Sequence, residues 1–117
     1  MTEFFKKNWK WIIFATVILL AIFLRVWHFH DWLFFKMDQA RDAFLIKQVL
    51  ENGAGWLPLL GPKAGGTHLN LGPVFYYFQY ISAVLFQSAH PAALAYPDLL
   101  FSILSIPLFY FFLKKYF

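Results

Sequence analysis

The stretch WIIFATVILLAIFLRVWHF, residues 11–29, decides the fold class. A single charge, Arg25, interrupts it near one end. As a helix, this stretch rises roughly 28 Å, close to the thickness of a bilayer's hydrocarbon core. Arg25 is placed to send its charge to the headgroups. The tryptophans at 9, 11, 27 and 32 bracket the run, as aromatic residues do at membrane interfaces. A cleavable signal peptide would also begin with lysines and an apolar run. Here, however, RVWHFHDW follows, with no small residues to form a cleavage site. The stretch reads as a retained transmembrane helix.

The whole composition agrees. Apolar residues make up 61% of the 117 and charged residues only 14%, against roughly 45–50% and 25% in soluble domains. A chain this short cannot hide so much apolar surface in a core of its own, so lipid must cover part of it. The formal charge of +4 is concentrated at the ends. Lys6, Lys7 and Lys10 precede the first apolar run, and Lys114 and Lys115 follow the last. No basic stripe suited to nucleic acid is present. Cysteine is absent, which excludes disulfides and thiolate metal sites.

A second apolar stretch, about 92–113, is broken only by Asp98 near its start, and Pro107 predicts a kink. Between the two lies PVFYYFQYISAVLFQS, residues 73–88, short for a span and carrying Tyr76, Tyr77 and Tyr80. If it crossed the membrane, the two lysine clusters would face opposite sides. If it lies in the interface, both are cytoplasmic, as the positive-inside rule prefers. The expected architecture is therefore an all-α integral membrane protein. It has transmembrane helices at about 11–29 and 92–113, and an outer loop, about 30–91, carrying juxtamembrane helices. Three spans are the alternative.

Within the loop, MDQARDAFLIKQVLENG predicts a helix over 38–52, with Asp38 as N-cap and Gly53 as its stop. Residues 53–72 hold all six glycines and read as loop. Asp38, Arg41 and Asp42 are equally an ordinary first-turn charge pattern and the makings of a general base. A carboxylate beside aromatics at an interface favours its protonated form unless a cation such as Arg41 balances it. His28 and His30, His68 and His90 have no metal-ligand spacing. GPKAGGTHLNLG is not a phosphate loop, although Lys63 and His68 are exposed donors able to meet a phosphate.

The run MDQARDAFLIKQVL, then WLPLLGP, then LNLGPVFYYF, in that order after one transmembrane helix, resembles the start of membrane glycosyltransferases of the GT-C type. It is most similar to the protein O-mannosyltransferase and lipid A aminoarabinose transferase group. The resemblance spans about residues 10–117 and implies sugar transfer on the outer face of the cell membrane, from a polyprenyl-phosphate-linked donor to an acceptor the sequence does not name. It implies Asp38 as the catalytic aspartate and an inverted product. Gln39 stands where the family usually has Glu, and Gly72 where a Lys often precedes the Pro. Arg41, Lys63 and His68 are then the candidates to meet donor phosphate. No metal ligands are indicated, and the sequence leaves any cofactor, including a divalent metal, unassigned. Such enzymes carry many more spans, so the chain reads as an N-terminal part, inactive alone. The other class open to it is a small two-span accessory or assembly subunit without enzymatic activity.

Overall fold

The computed structural model describes residues 2–34 and 36–117, with side chains from Lys7 onward; the side chain of Lys6, in the first lysine cluster, lies outside them. The elements are α1 (Thr2–Val26), α2 (Met37–Asn52), a 3-10 turn (Ala54–Trp56), α3 (Val74–Phe86) and α4 (Pro91–Tyr116). Among the described residues there is no strand, only an isolated bridge between Lys63 and Asn70. The protein is all-α, and two of its helices are long and apolar enough to cross a membrane. The chain divides into two compact units, Leu33–Asp98 and Met1–Trp32 with Leu99–Phe117.

In the second of these, α1 exposes Ile13, Val17, Leu20 and Leu24. None of its apolar window Lys7–Val26 is buried by protein. That surface is what a lipid environment would cover. The contacts α1 does make are aromatic. The Phe14 ring lies 4.1 Å from that of Tyr110 and 6.2 Å from that of Phe111, and Lys114 Nζ sits 5.5 Å from the Trp11 ring centroid. Trp11 meeting 114 while Phe14 meets 110–111 makes the two segments antiparallel. Lys7 and Lys10 therefore share one end of the pair with Lys114 and Lys115.

The first helix stops at Val26, three residues before the expected Phe29. His28 adopts a left-handed φ of 54°, a conformation histidine visits more readily than most non-glycine residues. Its Nδ1 is 2.6 Å from Asp31 Oδ2, and the Asp31 and Trp32 amides both donate to the His28 carbonyl. This turn ends the helix locally. Arg25 Nη1 donates to the Ala21 carbonyl one turn back, at 3.3 Å, following the N-terminal tilt of helical side chains.

The Leu33–Asp98 unit is built on α2, α3 and the first two turns of α4. Ile46, Tyr76, Ala83 and Leu94 form its core, edged by Ala43, Leu50 and Tyr80. Helix α2 begins one residue before the predicted range, and its N-cap is Lys36, not Asp38. The Lys36 amide donates to Gln39 Oε1 at 2.9 Å, half of a capping box. The other half is chemically barred, because a lysine side chain has no acceptor. The predicted stop holds: Gly53, at φ 96°, donates its amide to the Val49 carbonyl at 2.8 Å.

Helix α3 has 13 residues, a rise of roughly 20 Å, too short for a bilayer core of about 30 Å. It closes on Gln87 at φ 50°, with the Ser88 amide reaching back to the Ala83 carbonyl at 3.0 Å. The left-handed cap turns the chain directly into α4. There His90 Nδ1 accepts from the Ala92 amide at 3.3 Å, and Pro91 occupies the first helical position, where its missing N–H costs nothing. Inside α4, Pro97 leaves the Ala93 carbonyl without its helical donor. Ser82 Oγ of α3 supplies the missing bond at 2.5 Å.

Candidate functional site

Asp38 and Arg41 stand one turn apart at the start of α2, and Arg41 Nη1 donates to Asp38 Oδ1 at 3.2 Å. The stronger pairing is with Asp42. Arg41 Nε and Nη2 both donate to Asp42 Oδ1, at 3.1 and 2.9 Å. The Asp42 side chain is only 10% exposed, against 46% for Arg41 and 81% for Asp38. The hydrogen bonding it donates to Asp42 is the main reason the Arg41 guanidinium holds its proton even more tightly than usual. Tyr76 of α3 is buried beside this pair. Burial first, then the Asp42 charge, pushes its phenol's ionisation upward, so it stays neutral.

A cavity of about 110 Å³ opens beside these residues. Asp38, Gln39 and Asp42 of α2, Phe75 and Gln79 of α3, and Pro91, Leu94, Ala95 and Asp98 of α4 line it. Gln79 is 95% buried, and its side-chain Oε1 has no hydrogen-bond partner among the described residues. Three aspartates thus line one small cavity, beside a buried acceptor that has no partner among the described residues. Among the described residues no group of three His, Cys, Asp or Glu side chains is placed to hold a metal ion.

Of the residues the sequence singled out, Asp38 lies on the cavity wall and Arg41 stands directly behind it, bonded to two of the wall's aspartates. Lys63 and His68 do not line it. They lie on the glycine-rich segment, which doubles back on itself. Gly61 N donates to Leu71 O, Leu71 N to Pro62 O, and Ala64 N to Leu69 O, each at 2.9 Å. Gly61 permits this, because a Cβ there would collide with the Leu71 and Gly72 carbonyls.

Gln79 and Asp98 also line the cavity and had no assigned role in the sequence reading, and Asp42 entered it only beside Asp38 and Arg41. Two signals were available for them. Asp98 is the one acid in an otherwise apolar stretch, which by itself marks a functional candidate. Tyr76, Gln79 and Ala83 recur at helical spacing, so the buried face of α3 is partly polar. No family profile, curated protein or solved structure matches the chain.

Proposed function

We propose that the chain is part of a membrane glycosyltransferase that moves a sugar from a polyprenyl-phosphate donor to an acceptor on the outer face of the cell membrane. The observation that carries this reading is the placement of Asp38. Its carboxylate lines the cavity, largely exposed, with Arg41 as its charge partner. In the reaction, Asp38 takes the proton of the acceptor's nucleophile. The nucleophile's electron pair forms a bond to the sugar's anomeric carbon from the face opposite the donor phosphate. The bond from that carbon to the phosphate oxygen breaks, and polyprenyl phosphate leaves with the electron pair, giving inversion. Arg41, bonded to Asp38, is then the candidate cation for the donor phosphate, since Lys63 and His68 do not line the cavity. The testing experiment supplies radiolabelled polyprenyl-phosphate hexose to vesicles carrying the complete protein. Label is expected to move from polyprenyl phosphate to a second species, lipid or protein, on chromatographic separation, and its retention on polyprenyl phosphate would overturn the reading.

The proposal places both termini in the cytoplasm and the loop at about 30–91 outside. Supporting this, the antiparallel pairing puts Lys7, Lys10, Lys114 and Lys115 at one end, and cytoplasmic flanks are the ones enriched in lysine. Single cysteines introduced as Glu3→Cys, Gln48→Cys and Tyr116→Cys should differ sharply toward a membrane-impermeant maleimide on intact cells. Only position 48 is expected to react. Reaction at 116 would sink the two-span arrangement.

A further inference from the structure

We infer that the groove between α1 and α4 holds an anionic phospholipid, with its phosphate at Lys10 and one acyl chain between the helices. The groove measures about 470 Å³ and is lined by Trp9, Lys10, Ile13, Phe14 and Val17 of α1 and Tyr110 of α4. Trp9, Ile13 and Val17 each stay about half-exposed, so the protein leaves the groove open along its length. From Lys10 to Val17 it follows the helix axis for roughly 10 Å, about a third of the hydrocarbon core. Charge selects the occupant. Lys7, Lys10, Phe14 and Val17 succeed one another at intervals of three, four and three, which places them on one face of α1. Two lysines therefore stand at the mouth of an apolar groove. Lys114 and Lys115, exposed at the same end, lie over the Trp11 and Tyr116 rings. Among the described residues none of these four lysines is in an ion pair. A zwitterionic lipid would fill the groove but leave the lysines without a counter-charge. A soluble anion would meet the lysines but leave the apolar wall open. A lipid with a net negative headgroup does both, and each basic residue beside such headgroups favours it by about fivefold. The inference rests on the helix pair crossing a membrane and is independent of sugar transfer.

The complete protein, labelled with fluorotryptophan and held in dodecylmaltoside micelles, is titrated with phosphatidylglycerol and followed by fluorine NMR. Trp9→Phe identifies the Trp9 resonance, and Trp27 and Trp32, past the other end of α1, are the internal controls. The Trp9 signal is expected to shift saturably while the two controls stay still. Phosphatidylcholine should need at least about fivefold more lipid for the same shift. Lys10→Gln should weaken phosphatidylglycerol by about fivefold, toward the level of phosphatidylcholine. Val17→Phe fills the groove, leaves every lysine in place and should weaken both lipids. Lys10 and Val17 are both exposed, so each variant should keep the fold, and either one carries the test if the other fails to insert. Equal affinity for the two headgroups, equal shifts at all three tryptophans, or phosphatidylglycerol affinity unchanged in both variants would overturn the proposal. Tighter binding of polyprenyl phosphate than of phosphatidylglycerol would also overturn it. So would a Trp9 shift that follows protein concentration without added lipid, the mark of a second copy of the chain in the groove.

Discussion

Replacing Asp38 with Asn is expected to lower sugar transfer by roughly 10²–10⁴-fold, the usual consequence of removing a general base. The protein should remain folded. Asp38 sits at the second position of α2, outside the cap, and its side chain is 81% exposed. Its bond to Arg41 at 3.2 Å is an exposed i,i+3 pair, worth about a few tenths of a kcal/mol. Loss of a negative charge in the first turn adds about 0.3–1 kcal/mol through the helix dipole. Asp38→Ala should therefore cost little more than Asp38→Asn, because the helix start rests on Gln39 and the Lys36 amide. Turnover and thermal unfolding measured together decide the matter. An Asn variant with full turnover removes Asp38 from the chemistry. A Gln39→Ala variant, by contrast, should lower stability while sparing the reacting carboxylate.

The largest expected loss of stability comes from Arg41→Met. This change strips both donors from Asp42 Oδ1 and leaves a carboxylate that is only 10% exposed without its cation. Breaking a buried pair in this way costs about 3–5 kcal/mol; because Arg41 is itself half-exposed, the lower end is expected. Arg41→Lys should recover part of the loss, since an ammonium restores the charge but not the planar guanidinium geometry. The double change Arg41→Met with Asp42→Leu should lie closer to wild type than Arg41→Met alone, because no charge is then left unpaired. Urea unfolding of the detergent-solubilised protein reads these differences. If the single change shifted stability by less than about 0.5 kcal/mol, the typical effect of an ordinary surface substitution, the pair would not be structural.

Both long apolar helices were legible in the sequence, because their composition suffices to recognise them. So was α2, because Gly53 ends it and the i,i+3 spacing joins Asp38 to Arg41. The cap was misassigned for a local reason. Aspartate is a strong capping residue, yet here the chain starts the helix earlier through the Lys36 amide and Gln39. The early end of α1 depends on one histidine adopting a left-handed conformation, which composition does not reveal. The cavity was hidden for a different reason. Asp42 is an unremarkable helical acid until α3 places Tyr76 beside it. Gln79 and Asp98 converge on it only after the tight turn at Gln87. Lys63 and His68 read as exposed donors able to meet a phosphate, but neither lines the cavity.

The bond from Ser82 to the Ala93 carbonyl ties the permitted substitutions at two distant positions together. That carbonyl needs an outside donor only because residue 97 is proline. Ser82→Ala alone strands a buried acceptor, at about 1–3 kcal/mol. With Pro97→Ala already present, the helix regains its own N–H and the serine becomes dispensable. Loss of the hydroxyl is thus tolerable after the proline has gone and harmful before, so the order of change is constrained. A double-mutant cycle at 82 and 97 should show non-additivity of at least 0.5 kcal/mol, and simple additivity would show the two sites to be independent.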